Sequence, residues 1–537
     1  MAVPPTSRRA GIALSSVVAG YLVLGLVAGA PDSPLVPRLP VGVGLPGWTT
    51  TGARWIGLDR LSRTGLTLIS IALLGAILAA FVLVIIEAWR GRVRTAIVMA
   101  AAGASLALSV AGPLVLSRDV YSYAAYGRIY AIYHANPYVT PPSSFRSDPF
   151  VAVASPAWID TRAVYGPAFV LTGAGLARAW AGSPAATILA FKMLAGIGAA
   201  LATMLAAAAA TSANAARQRR ETDLADPPEP RPNRTALAAA AVGLNPVIVV
   251  HTVGGAHNDA LIAACLAGAL VLALRSVRGP TRFPTAGLIT LAVTALLTLA
   301  VLIKVVVAPV LLVWLWCLIR AVPRERRLAR VAIHSGVLVG LVLAFSAPFL
   351  SGGRVLTSLV TLTSVEGWAS GARLVARGAR GLGNAIGGSA TADVFAKVVV
   401  VALLGVFAAA FVRIIRRTSV DRPADAWGSA ILGFALAIPY LLPWYAAWFL
   451  PFVALMSDHR LAVIGFAAAG VLALTGVPAE PGSAPGLWRD MILGVHYGAG
   501  PIMLGLFLAW TARVLAARPS DAIERGSVPG MADRARP

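Results

Sequence analysis

Charge is scarce in this chain of 537 residues: 12% of it is charged, against about 25% in soluble domains. That deficit excludes a soluble enzyme and a disordered chain. Lysine is scarcer still, with Lys192, Lys304 and Lys397 the three among 45 basic residues. The 22 acidic residues leave a net charge of +23. A basic balance usually suggests nucleic acid, but in a chain this apolar the placement of arginine relative to the apolar runs decides, and no nucleic-acid partner is expected. Two cysteines, Cys265 and Cys317, sit inside apolar runs and imply neither a disulfide framework nor a zinc site. A Walker loop, His-Glu-x-x-His, Gly-x-Ser-x-Gly, Cys-x-x-Cys and the dinucleotide fingerprint are all missing, so nucleotide-driven chemistry has no visible site.

What the chain has in quantity is apolar runs of roughly the 20 residues that a spanning helix needs. They read as an all-α polytopic membrane protein of about 14 transmembrane helices, uncertain by one or two. The organisation expected is a cytoplasmic N-terminus over 1–10, a transmembrane domain over 11–516 and a disordered cytoplasmic tail over 517–537. The segment 217–234, rich in arginine, acids and proline, reads as a flexible cytoplasmic linker. Segments assigned to the cytoplasm hold 28 of the 45 basic residues, a bias that predicts both termini inside a plasma membrane and Asp119, Asp148, Asp259, Glu366 and Trp444 outside. The runs at 165–181 and 185–211 break the alternation. The first, interrupted by glycine and proline, reads as re-entrant or interfacial.

The outer loop 117–164 is the most informative stretch. Within Arg118-Asp119-Val120-Tyr121-Ser122-Tyr123, a helical reading puts Asp119, Tyr123, Tyr126, Tyr130 and Tyr133 on one face at 4-3-4-3 spacing. An interfacial helix with a tyrosine belt explains that spacing as well as a sugar-binding surface does. Asn136-Pro137-Tyr138 and Tyr165-Gly166-Pro167 suit an ordered loop rather than a linker. His257-Asn258-Asp259 follows Gly254-Gly255 at a hinge between spans, where ordinary turn chemistry is the competing explanation. Lys304 falls near the centre of the apolar stretch 285–320. One long span would bury it at a cost of roughly 2.5–3.5 kcal/mol, so two spans with Lys304 at their outer turn are expected. There it either snorkels or holds a phosphate. Pro443-Trp444-Tyr445 closes the set.

With these motifs in this order the chain resembles the GT-C class of integral-membrane glycosyltransferases. Within that class it is similar to the polyprenyl-phosphate-mannose-dependent α-1,6-mannosyltransferases of actinobacterial lipomannan and lipoarabinomannan assembly. The resemblance implies a polyprenyl-phosphate-linked sugar donor, a mannan or lipoglycan acceptor, surrounding membrane lipids and an extracytoplasmic site. It makes Asp119 the catalytic base. Many GT-C enzymes carry two adjacent acids at that position. Here Arg118 stands beside Asp119, which makes Asp259 the candidate helper acid and leaves a divalent metal open. Transfer from a polyprenyl phosphate expels a phosphate, which needs cations rather than a proton donor. Lys304, Arg118 and Arg128 are the candidates to hold it, and Tyr123, Tyr126, Tyr165, His257, Asn258, Trp444 and Tyr445 to hold sugar. The rival reading, a transporter or flippase, would place polar groups at the bilayer midplane in paired repeats. This chain places them at span ends and shows no repeat.

Overall fold

The computed structural model describes residues 6–221, 232–276, 287–350, 367, 369–418, 422–477, 479 and 486–516. The core of the proposed linker, the tail and Glu366 lie outside them. Helices α1 (Arg8–Ala28), α2 (Gly47–Trp55), α3 (Arg63–Trp89) and α4 (Thr95–Ala111) lead to α5 (Asp119–Ala131), and after a long irregular loop to α6 (Pro167–Ala179) and α7 (Pro184–Glu221). Then come α8 (Arg234–Gly243), α9 (Asp259–Ser276), α10 (Leu288–Ile303), α11 (Ala308–Arg320) and α12 (Arg324–Ser346). The C-terminal part holds α13 (Gly371–Arg417), α14 (Pro423–Ala437), α15 (Leu450–Val453), α16 (His459–Ala473) and α17 (Gly486–Ala516). No strand occurs among the described residues.

Eight of the described helices are long and apolar enough to cross a membrane, and four shorter apolar helices accompany them. The chain is a multi-pass membrane protein. Two of the apolar runs are not used as spans. The run 165–181 yields the 13-residue α6, and 444–457 yields a tight turn, Pro443–Trp448, followed by the four-residue α15. Proline at 443 and 451 removes backbone donors within that second run and keeps it from forming one helix.

Helix starts follow local side-chain chemistry. Ser7, Ser62 and Asn233 each accept a backbone N–H from the first turn of α1, α3 and α8, satisfying donors that have no partner within the helix. Half of α8 is alanine, and from Ala236 to Gly243 it is buried. Its small side chains let α3, α4 and α7 pack close to its backbone. Apolar side chains of α12 and α13, such as Leu328, Leu343, Val398 and Val401, stand exposed, as lipid-facing positions should.

Three devices fix the segments that meet at one end of this bundle. The buried Lys192 of α7 donates from Nζ to the carbonyls of Gly112 and, at 2.7 Å, of Pro113, closing the free carbonyl end of α4 just ahead of Asp119. Beyond α8, Val247–Val253 widens into a π-turn, a geometry common at functional sites. Thr252 Oγ1 donates to the Val247 carbonyl, and His257 N–H to the Thr252 carbonyl at 2.7 Å. The third device is the Tyr165-Gly166-Pro167 motif. Gly166 N–H donates to the carbonyl of Ile303 at 2.9 Å, and a Cβ at this position would drive into the Leu302 carbonyl. Pro167 then serves as the first residue of α6.

Gly166→Ala is therefore expected to lower the thermal stability of the detergent-solubilised protein by roughly 1–3 kcal/mol, the usual cost of overpacking. Gly175→Ala, on the same α6 with open space at its Cβ, is the control. Equal melting of the two variants would refute the close approach.

Candidate active site

The first and third devices position residues that line one pocket, and the second sets His257 and Asp259 directly behind it. Asp119, Ser122 and Tyr126 enter from α5; Trp158, Val164 and Tyr165 from the loop before α6; Lys304 from the break between α10 and α11; and Tyr440, Leu442, Trp444 and Tyr445 from the segment after α14. Its volume in this conformation is about 20 Å³, room for about one water molecule. Sites for small ligands run to ~300–1,000 Å³. A sugar therefore enters only if the walls part, and the two aromatic walls belong to separate segments, with Trp158 and Tyr440 meeting edge to face at 6.0 Å.

Lys304 sits where the helix is broken. Its backbone is extended, with φ −157° and ψ 118°, between α10 and the turn Val305–Val307, so the apolar stretch divides as expected. The side chain does not snorkel: it is 4% exposed. Nζ lies 3.1 Å from Asp259 Oδ1 and 3.5 Å from Oδ2, above the rings of Tyr445 at 4.2 Å and Trp448 at 5.4 Å. Asp259, at the start of α9 and fully buried, also accepts Trp448 Nε1–H at 2.6 Å. A buried carboxylate needs such company, because an unpaired charge in this environment is far costlier than a paired one.

Asp119 is the first residue of α5, where the helix dipole favours an anion, and its N–H donates to Ser117 Oγ at 3.1 Å. Its side chain keeps 23% exposure. Burial pushes its pKa up to about 6. The Lys304 cation opposes that shift, the Asp259 charge adds to it and the Ser117 hydroxyl lowers it. Next to Asp119, His257 Nδ1 stands 3.7 Å from Oδ2 and 3.1 Å from the Tyr123 hydroxyl. Burial first, then the Lys304 charge, hold the His257 pKa well below its ordinary value. Both effects disfavour the charged imidazole, which weakens any ion pair with Asp119. Trp444 stacks on it at 3.5 Å. His257 Nε2, Trp444 Nε1 and both amide atoms of Asn258 are buried without a partner.

The structure thus brings Asp119, Tyr123, Tyr126, Tyr165, His257, Asp259, Lys304, Trp444 and Tyr445 together. Of these, Tyr123, His257 and Asp259 stand behind the pocket wall through their contacts with one another, Asp119, Lys304 and Trp444, and Asn258, their neighbour in the chain, does not line it either. Arg118 is half-buried next to Asp119, near enough to Tyr121 to act on it electrostatically. Arg128 is turned elsewhere: Nε donates to Asp148 Oδ2 at 2.5 Å and Nη1 to the Ala181 carbonyl. On the tyrosine face, Tyr123 and Tyr126 are buried in protein, with Tyr126 donating to the Thr161 carbonyl at 2.7 Å, where an interfacial belt would expose them. Tyr130 and Tyr133 are half-buried, and Tyr133 stacks on Phe145 at 4.2 Å. Sequence reasoning did not name Ser122, Trp158, Val164, Tyr440 or Leu442 as site residues. Ser122 carried a signal, lying one turn after Asp119. A divalent metal would find Asp119 and His257 here, but Asp259 is occupied by Lys304 and Trp448. Among the described residues no group of three His, Cys, Asp or Glu side chains is placed to hold an ion.

A multi-pass helical membrane protein with a carboxylate and a buried lysine facing one aromatic pocket is the architecture that these residues define. Residues 36–320 match the family described as alpha-(1->6)-mannopyranosyltransferase, N-terminal domain, and the chain belongs to that family. It is 28% identical over 370 residues to alpha-(1->6)-mannopyranosyltransferase A of Mycobacterium tuberculosis, covering 66% of this chain and 64% of that relative. It is 23% identical over 364 residues to a probable alpha-(1->6)-mannopyranosyltransferase of Mycolicibacterium smegmatis, covering 63% and 61%. The alignments thus span just under two thirds of each of these relatives.

Removing one partner of the Lys304–Asp259 pair should be costlier than removing both. Lys304→Met alone is expected to lose about 3–5 kcal/mol of stability, since it strands a buried carboxylate. Adding Asp259→Asn should recover much of that loss. Unfolding of the four proteins of this cycle in detergent measures the coupling, and simple additivity would contradict it.

Proposed function

We propose that this protein transfers a mannosyl residue from polyprenyl-phosphate mannose to a growing mannan or lipoglycan acceptor at the outer face of the plasma membrane, with inversion, forming an α-1,6 linkage. The observation that carries the reading is the placement of Asp119 and Lys304 in one aromatic-walled pocket of a chain that belongs to this family. The names of the relatives support the sugar and the linkage. The arginine distribution supports the side of the membrane.

In the reaction proposed, an acceptor hydroxyl oxygen attacks the anomeric carbon as the bond to the phosphate oxygen breaks. The leaving phosphate keeps the bonding electron pair, and the hydroxyl proton passes to Asp119. Lys304 neutralises the departing phosphate: its ammonium carries three donors, and the contact to Asp259 leaves others to offer. Arg118, next to Asp119 in the chain, is the second cation proposed for this role. Asp259 acts in this scheme as the counter-ion that holds Lys304 charged and aimed, not as a second base. His257 orients the Asp119 carboxylate, and Tyr126, Tyr165, Trp444 and Tyr445 supply flat apolar faces for sugar rings.

Asp119→Asn is expected to lower the transfer rate at least about a hundredfold, since general-base catalysis contributes typically 10²–10⁴-fold, with detergent stability unchanged. Because only the ionised carboxylate accepts a proton, activity should fall as the pH drops through about 6, the raised pKa of Asp119. Radiolabelled polyprenyl-phosphate mannose with a panel of mannosyl acceptors is the assay. Full activity in Asp119→Asn would remove Asp119 from this role.

The orientation is tested separately. A membrane-impermeant thiol reagent applied to intact cells should reach cysteine placed at Ser144 and not at Thr222, and the opposite pattern would invert the topology.

A further inference from the structure

A second cavity, of about 500 Å³, opens where the end of α5 meets α6. It is twenty-five times larger than the Asp119 pocket in this conformation and falls within the ~300–1,000 Å³ usual for small-ligand sites. The α6 side carries Leu171, Ala174 and, near its end, Arg178, and the side at and beyond the end of α5 carries Tyr130, His134 and Asn136. None of the residues lining it is acidic.

We propose that this cavity is a binding subsite for the non-reacting sugars of an extended glycan acceptor. This rests on the transfer reaction proposed for the Asp119 pocket. The first argument is position. Tyr130 lies eleven residues after Asp119 on α5, about three turns and ~16 Å along the axis, and within about 20° of the same side. Tyr126, between them, lines the Asp119 pocket, and Tyr130 lines the second cavity. One helix face therefore runs from the reacting carboxylate to a cavity too far away for the reacting sugar, but in line for sugars further back along the same chain.

The second argument is chemistry. Tyr130, His134 and Arg178 present a hydroxyl, an imidazole and a guanidinium to the cavity, and no hydrogen bond from these side chains to a described protein group is observed. Donors and acceptors set among apolar carbon, from Leu171, Ala174 and the Tyr130 ring, match the mixed polar and apolar surface of a sugar. The third argument is rigidity. Tyr133 and Ala135 N–H groups donate to the Arg128 and Ile129 carbonyls at 3.0 and 2.9 Å. Asn136 Nδ2 donates to the Phe349 carbonyl at 3.1 Å, and the Tyr133 hydroxyl to Asp148 at 3.0 Å. His134 is held at φ +51°, a conformation that few non-glycine residues adopt, and this places its ring at the cavity.

The test uses the full-length protein with a disaccharide and a long mannosyl acceptor. His134→Gly keeps the backbone conformation and removes the ring; Arg178→Ala removes an exposed cation. Each is expected to lower kcat/KM for the long acceptor relative to the disaccharide by about tenfold, the scale of one lost hydrogen bond, through KM and not kcat. Equal losses on both acceptors, no loss on either, or a raised KM for the polyprenyl-phosphate donor in place of the acceptor would each overturn the subsite. Binding of a fluorescent long mannan fragment is the readout independent of turnover. It should weaken in both variants and persist in Asp119→Asn. Binding of that kind in a protein that transfers nothing would uphold the subsite while refuting the transfer reading, and undiminished binding in both variants would refute the subsite alone.

Discussion

The buried pair of Lys304 and Asp259 is the interaction around which the rest of the site is arranged. A lysine within a stretch this apolar cannot remain in a continuous spanning helix without a partner, and Asp259 can be buried at the head of α9 only because a cation meets it. Their attraction ties the break between α10 and α11 to the start of α9. Trp448 and Tyr445 complete the enclosure from a third part of the chain. In a low-dielectric setting such a pair is strong only when its remaining hydrogen-bonding capacity is satisfied, which explains why two aromatic residues of the short turn after Pro443 are committed to it.

Asp119 is built in contrast. It shares the pocket with Lys304, and its near neighbours are His257, whose charged form is disfavoured by burial, and the hydroxyl of Ser117. Two carboxylates near one cation are thereby given different environments. The first is enclosed and bonded on both oxygens, whereas the second is partly open. Separating environments in this way is how proteins assign different roles to chemically identical side chains. The neighbouring aromatic residues exclude water and strengthen these electrostatic effects.

The closeness of the pocket has its own consequence. With room for about one water molecule, it must open to admit a sugar. Much of its wall comes from the loop before α6 and the segment after α14, neither of which is part of a long helix. Asp119 and Lys304 stand at the start of α5 and the end of α10.

Composition and periodicity settled the class of protein without any coordinates, because apolar runs near spanning length and arginine clusters between them are local properties. The same holds for Asp119 at the start of a helix, since the polar-aromatic run from 118 to 128 is visible in one dimension, and for Lys304 as a break, since an unpaired cation in a span is prohibitively costly. Sequence did not reveal what those residues face. That Lys304 pairs with Asp259, that Arg128 turns away to Asp148, that Trp158 closes the pocket and that the run 444–457 folds as short turns all depend on contacts between segments tens to hundreds of residues apart. The tyrosine spacing on α5 fitted a membrane interface and a protein interior equally well, because helical periodicity defines a face but not its neighbour. Only the packing of α6 and the loop before it against that face decided the question.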